Sequence, residues 1–333
     1  MYDFEVLGTV IAADLADDPL RIIAEYAQRA ERYGIDGLLA FYNHSNLDPW
    51  TVAATILQNT KVITPLVAMQ PYALAPFTAA KIIWSLATLH RRRIDINLIT
   101  GAAKHELEQI GEQLGHDQRY ERATEYMTVV RALLSSEEPL VHDGHFYRYN
   151  ALRMYSRLDP GLLPRTFVAG SSPAGKKMAA AVADIAITHP EPVDQFAETF
   201  LGRAREDLRI GIRIGIVARS TDEEAWTAAQ TLFPAERLGR LKTEMRKKSE
   251  SEWIKRLAYL ATEEGIYDEV YWTGAYRNDK GNMPVFVGTY RKVADYLERY
   301  LALGVSNVIL AGTESEEDFQ HAAIVIDGLR RRR

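Results

Sequence analysis

Eight short runs rich in β-branched and aromatic residues recur along the chain: FEVLGTVIA, GLLAFY, VITPLVAM, RIDINLIT, RTFVAG, DIAIT, IGIRIGIVA and NVILAG. Between them lie longer amphipathic stretches with helix punctuation. DPLRIIAEYAQRAERYG ends on Gly34, DPWTVAATILQN has Asp48 as its cap with Pro49 in the first turn, and APFTAAKIIWSLATLH follows the same plan. Strand and helix patterns in regular alternation give βα units around a parallel sheet. Eight such units favour a TIM (β/α)8 barrel over an open doubly wound sheet, which rarely needs eight parallel strands with helices so evenly spread. At 333 residues and 47% hydrophobic, the chain can bury one large core, so we read residues 1–333 as a single barrel domain.

Two segments exceed a minimal barrel and read as insertions at the C-terminal face of the strands. Residues 137–164 contain a predicted β-hairpin around Asp143-Gly144 followed by an irregular loop. Residues 234–288 hold a strongly charged helix, AERLGRLKTEMRKKSESEWIKRLAYLA, and then YWTGAYRNDKGNMPVFVG. That is too long for a plain βα connection and suits an active-site lid.

Composition removes several function classes. The chain has no cysteine, which excludes disulfides, thiolate zinc sites and cysteine nucleophiles. A net charge of -5 gives no general attraction to nucleic acid or anionic membrane. No stretch approaches eighteen uninterrupted apolar residues, and the apolar start MYDFEVLGTVIAADL lacks a basic region before it, so a soluble cytoplasmic enzyme without a signal peptide is expected. No cluster of histidines and carboxylates has metal-ligand spacing, and there is no Gly-x-Ser-x-Gly elbow.

In a TIM barrel the chemistry gathers at the C-terminal ends of the strands. The residues there include His44, Asn46, Asn97, Gly170, Ser171, Ser172, His189, Glu191, Arg213 and Thr313. This set is suited to anion binding and to hydrogen-bonding a large cofactor that supplies the reactivity. FVAGSSPAGKK (167–177) comes within one residue of a P-loop, with Lys177 where a magnesium-binding hydroxyl is needed. It reads either as a helix cap or as a cradle for a phosphate monoester at a helix N-terminus. In LGHDQRYERATEYMTVVRALL, Asp117 is expected to cap a helix that places His116 and Tyr120 on one face.

The stretch RIDINLITGAAKHELEQIGEQLGHDQRYERATEYMTVVRALLSSEEPLVHDGHFYRY, followed by FVAGSSPAGKKMAAAVADIAITHPEP and IGIRIGIVARSTDEEAW, resembles the bacterial luciferase-like flavin-dependent monooxygenases, closest to the alkanesulfonate monooxygenase branch. The resemblance spans nearly the whole chain and is most specific over 94–226. It implies a TIM barrel that binds FMN through Asn97, His116, Tyr120, Gly170, Ser171 and Ser172. It further implies a two-component monooxygenase: a separate NAD(P)H-dependent flavin reductase supplies FMNH2, and O2 then yields a flavin peroxide that oxygenates a small organic substrate.

The chain departs from the alkanesulfonate branch at Asn46, where that branch has Cys, at Gly215, where it has the His of an Arg-x-His, and at Thr313, where it has Tyr. A substrate other than a simple sulfonate is therefore expected. His44 is the first choice for acid-base work, with Arg213 from the barrel wall and Arg277 from the lid meeting over the flavin to hold an acidic group of the substrate or to stabilise the flavin peroxide. A deazaflavin (F420)-dependent hydride-transfer enzyme and a non-catalytic flavin-binding subunit are the alternatives. A homo-oligomer is expected.

Overall fold

The computed structural model describes residues 2–10, 17–101, 104–170, 172–199, 208–236, 238–249, 251–263 and 265–332. In chain order the strands are β1 (Glu5–Thr9), β2 (Gly37–Ala40), β3 (Thr64–Met69), β4 (Asp95–Leu98), β5 (Leu140–Asp143), β6 (Arg148–Leu152), β7 (Thr166–Ala169), β8 (Ile185–Thr188), β9 (Arg209–Arg219), β10 (Ile266–Tyr267), β11 (Tyr271–Trp272), β12 (Val285–Thr289) and β13 (Val305–Leu310). The helices are α1 (Pro19–Arg32), α2 (Pro49–Asn59), α3 (Pro76–His90), α4 (Lys104–Gln109), α5 (His116–Ser135), α6 (Pro173–Val182), α7 (Val193–Thr199), α8 (Asp222–Leu232), α9 (Gly239–Arg246), α10 (Glu252–Thr262), α11 (Gly274–Arg277), α12 (Tyr290–Ala302) and α13 (Glu316–Arg330). The fold is a TIM barrel. Its eight strands, β1, β2, β3, β4, β7, β8, β9 and β13, follow one another in chain order and coincide with the eight apolar runs.

The chain divides into two compact units, residues 12–27 with 37–186, and residues 1–11 with 28–36 and 187–333. In the first, β2, β3, β4 and β7 pair in parallel, with Asn97 of β4 opposite Ala68 of β3 and Phe167 of β7. Asp48 caps α2 by accepting from the Trp50 and Thr51 amides, and Pro49 opens the helix, as the sequence dictates. The hairpin forms between β5 and β6 with His142 opposite Tyr149, and Glu125 of α5 ties its turn down by accepting from the amides of Phe146 and Tyr147. At the N-terminal end of the strands, fully buried Asp95 accepts from Arg165 through its amide (3.0 Å), Nε (3.1 Å) and Nη2 (2.7 Å).

In the second unit, β9 is flanked in parallel by β13 and β12, and β12 continues through β11 to β10. The aromatic rings of Phe286, Tyr296 and Tyr300 pack on one another, with Phe286 and Tyr300 stacked at 5.6 Å. Their neighbours pin the loop after β8, because Tyr271 Oη donates to the Pro190 carbonyl (2.8 Å) and Tyr300 Oη to that of Glu191 (2.6 Å). A buried hydroxyl needs a partner, and here that requirement fixes the position of the loop. The charged stretch of the second insertion is two helices, α9 and α10, interrupted around Ser249 and Ser251, whose side chain and backbone bond each other instead of continuing the helix.

Candidate active site

In the first unit, the turn after β7 is built on a close approach between two glycines. A Cβ on Gly175 would lie 2.9 Å from both the Cα and the carbonyl carbon of Gly170, and a Cβ on Gly170 would lie 3.0 Å from the Gly175 Cα. Only two hydrogens at these positions let the turn fold onto the first turn of α6. Ser172 is the N-cap, its Oγ accepting from the Gly175 amide at 3.1 Å, and Pro173 occupies the first helical position. Ser171 lies outside the described residues.

Tyr120 adjoins this turn, its Oη 3.4 Å from the Cβ position of Gly170. His116 and Tyr120 face each other with ring centroids 4.9 Å apart. The helix carrying them starts two residues before the expected cap: Gly115 is the N-cap of α5, and Asp117 sits in its first turn. There Asp117 accepts from His116 Nδ1 (2.6 Å), which leaves the other ring nitrogen as the free edge. Asn97 is half-buried on β4, one strand from β7.

His44 stands apart from this group. β2 ends at Ala40, and His44 lies in the following turn, exposed, with Nδ1 3.2 Å from Gln109 Oε1 and its ring edge-on to Tyr42.

The second unit gathers a different set at the end of β8. His189 stacks flat on Trp253 of α10, centroids 3.9 Å apart and planes at 16°. Glu191, 4% exposed, pairs with Arg256 at 2.5 Å. Burial and the charges of Arg213 and Arg256 hold the His189 imidazole well below its ordinary range, so it is neutral at pH 7. Burial also raises Glu191 despite Arg256.

Arg213 is pulled down to about 10 by desolvation and remains charged at neutral pH. It donates to Asn282 (3.1 Å), and among the described residues no carboxylate pairs with it. Its Nε, His189 Nε2 and Arg256 Nη2 are sealed from solvent without a hydrogen-bond partner. The next inward position of β9, Gly215, is closed by Val285, Ala311 and Met283, with a Cβ falling 3.1 Å from Val285 Cγ2. A side chain here would have to push Val285 aside by a few tenths of an ångström, which disfavours the histidine that the resemblance associates with this position.

Arg277 ends α11, where its Nη1 lies 2.9 Å from the Cβ position of Gly265. The cation of α10 whose charge reaches His189 together with that of Arg213 is Arg256. Arg256 and Trp253 are one helical turn apart on α10, within a stretch whose charge density hides them from sequence inspection. Trp253, the one tryptophan in the charged stretch 235–261, is the available signal.

The model of the luciferase-like monooxygenases matches residues 6–307. The chain belongs to the luciferase-like monooxygenase family. It is 43% identical over 305 residues, 91% of this chain and 89% of the relative, to the 4-(gamma-L-glutamylamino)butanoyl-[BtrI acyl-carrier protein] monooxygenase BtrO of Niallia circulans. In fold it is similar to the EDTA monooxygenase EmoA from Chelativorans sp. BNC1, with a TM-score of 0.74 at 19% identity over 98% of this chain and 94% of that one. It is also similar to an F420-dependent secondary alcohol dehydrogenase, with a TM-score of 0.67 at 17% identity over 98% and 99% of the two chains. The protein is thus an enzyme of the monooxygenase class, in a family that binds flavin-type cofactors. No helix among the described residues is long and apolar enough to cross a membrane.

Proposed function

We propose that this luciferase-like monooxygenase is the oxygenase component of a two-component system. In this reading it takes reduced FMN from a separate NAD(P)H-dependent flavin reductase and uses O2 to oxygenate a small acidic substrate carried as an acyl-carrier-protein thioester. The observation that carries the reading is the glycine-on-glycine turn at the N-terminus of α6. It folds the turn after β7 down onto the helix N-terminus, next to first-turn amides and the Tyr120 hydroxyl, and this suits one phosphate monoester. Gly170, Ser171, Ser172 and Tyr120 would hold the phosphate, with His116 and Asn97 contacting the rest of the flavin.

When bound, reduced FMN and O2 supply the oxidising chemistry, one oxygen atom entering the substrate and the other leaving as water. The chain's own work is to bind, orient and exclude water. The charge of Arg213, lacking a carboxylate partner, would hold the substrate's acidic group through paired N–H bonds, with neutral His189 beside it. Trp253 stacks on His189 and Arg256 pairs with Glu191, and these contacts of α10 would keep solvent from both residues. Exposed His44 would exchange a proton with water in the first unit, and Arg277 would brace the lid at Gly265. The carrier-bound substrate is supported by the name of BtrO, at 43% identity. The homo-oligomer is supported by an apolar groove of about 570 Å³ between α2 and α3, lined by Trp50, Phe77 and Ile82, and is tested by sedimentation.

The test is anaerobic titration of the protein with reduced FMN and with reduced F420, followed by ¹⁸O2 and the thioester substrate. Tight reduced-FMN binding and one ¹⁸O atom in the product are expected, with Arg213→Lys lowering turnover about ten-fold or more. Preferential F420 binding with hydride transfer and no ¹⁸O would replace this reading with the deazaflavin one. Flavin binding without any turnover would point to a non-catalytic subunit.

A further inference from the structure

The lid helix α9 is amphipathic in the wrong sense for a helix at rest. Its inward face is made by Gly239 and Thr243. A Cβ on Gly239 would lie 2.5 Å from the Arg277 carbonyl oxygen, and buried Thr243 donates within the helix to the Gly239 carbonyl (2.9 Å). The opposite face carries Leu238, Leu241 and Met245, spaced i, i+3, i+7, and these are 57%, 61% and 66% exposed. An apolar stripe held out in solvent on an ordered helix marks an interaction surface.

Charge around the stripe is one-sided. Residues 238–249 hold five cations and one carboxylate in a chain whose net charge is -5. Lys242 and Arg246 are occupied by Asp279, and Lys247 pairs with Glu244 at 2.9 Å. Arg240, exposed on α9, and exposed Lys248 just past its end pair with no carboxylate among the described residues. A second copy of the same face would bring these uncompensated cations against each other, which disfavours self-association through it. An acidic partner with an apolar helical ridge is complementary in both respects.

The stripe is mechanically joined to the site. Arg246 covers the Tyr276 ring (4.8 Å) and donates to the Tyr276 carbonyl (3.1 Å), while Tyr276 Oη donates to the Ile254 carbonyl (3.0 Å) of α10. The residue before it, Trp253, is the one stacked on His189. A partner seated on α9 therefore sits on the same rigid assembly that covers the end of β8.

We infer that the Leu238–Leu241–Met245 face of α9, with Arg240 and Lys248, is the docking surface for an acyl carrier protein, whose acidic helical surface would present the thioester-linked substrate to the lid. This rests on the reading that the substrate arrives on a carrier. The probe is the holo BtrI acyl-carrier protein, titrated without flavin against the wild-type chain, the Leu241→Glu/Met245→Glu variant and the Arg240→Glu/Lys248→Glu variant. All four positions are exposed, so both variants should fold.

Each variant should weaken carrier binding about ten-fold or more, the effect of removing a central contact. Wild-type binding should also fall with added salt. For the loaded carrier kcat/KM should fall in parallel, while for the same acyl group on free pantetheine it should change by less than two-fold. A wild-type chain that does not bind the holo carrier, or variants that bind it equally well, would overturn the assignment. So would a wild-type oligomer that Leu241→Glu/Met245→Glu dissociates, since the face would then be a self-interface. Binding through α9 without oxygenation of the loaded carrier would keep the surface and refute the oxygenase reading. Oxygenation insensitive to both variants would keep that reading and refute the surface.

Discussion

Replacing Gly175 by Ala is the sharpest probe of the proposed phosphate cradle, because the structure says what the added methyl meets. Its Cβ would fall 2.9 Å from the Gly170 Cα and carbonyl carbon and 3.1 Å from the Gly170 carbonyl oxygen. All three atoms are backbone, so no side chain can rotate away, and the turn itself must move by several tenths of an ångström. Overpacking of this kind costs about 1–3 kcal/mol. Position 175 lies in the first turn of α6, where alanine's better helix propensity returns up to about 1 kcal/mol. The net loss of stability is therefore about 0–3 kcal/mol, and the protein stays folded.

Ligand affinity is where the displacement should be felt. A turn moved off the helix misplaces donors to a charged oxygen, each worth about 1.5–3 kcal/mol, or roughly ten- to a hundred-fold in affinity. Fluorescence titration with FMN and with riboflavin separates the phosphate from the ring system. FMN affinity should fall at least ten-fold with riboflavin affinity within a factor of two. Equal losses for both ligands, or none for either, would show that the glycine pair serves only to pack the turn.

Gly328 in α13 is the matched control: nothing lies within 4 Å of its Cβ position, so Gly328→Ala should raise stability by about 0.5–1 kcal/mol in chemical unfolding, and a loss would contradict the open space seen there. Asp95→Ala should cost about 3 kcal/mol by stranding Arg165, and Arg93 whose Nε is 3.0 Å away, while FMN affinity is retained because the network lies at the N-terminal ends of the strands. A large change in FMN affinity in folded Asp95→Ala would contradict that separation. His189 is held well below its ordinary value in the folded chain, but in the unfolded chain it titrates near ~6.5. As pH falls through that value, the unfolded chain takes up a proton that the folded chain refuses, so its contribution lowers stability by up to about 1.4 kcal/mol per pH unit. His189→Gln should therefore lose less stability than wild type between pH 7.5 and 5 in thermal melts, and parallel losses would remove His189 from the acid limb.

What the sequence discloses here tracks the range of the interaction concerned. The eight barrel strands, the Asp48-Pro49 start of α2, the hairpin at Asp143-Gly144 and the Ser172-Pro173 start of α6 all depend on residues within a turn or two of each other, and each is legible as pattern. Even the error at Asp117 is a local one, a helix that begins two residues early because Gly115 can take the capping conformation. The pair His116 and Tyr120 is legible for the same reason, since i and i+4 share a helix face.

The lid is different. Trp253 and Arg256 reach His189 and Glu191 across a long sequence separation, and nothing periodic in the chain announces which cation of so many will be buried with a carboxylate. Arg277 is the lid arginine that the sequence suggests, and the cation paired with Glu191 is Arg256. The distinction comes from the tyrosines behind the loop: Tyr271 and Tyr300 fix the backbone at Pro190 and Glu191, and that fixed carboxylate selects Arg256. A buried charge is placed by whatever its counter-charge is anchored to, and so the cation that reaches Glu191 is decided by the hydroxyls of Tyr271 and Tyr300 behind the loop.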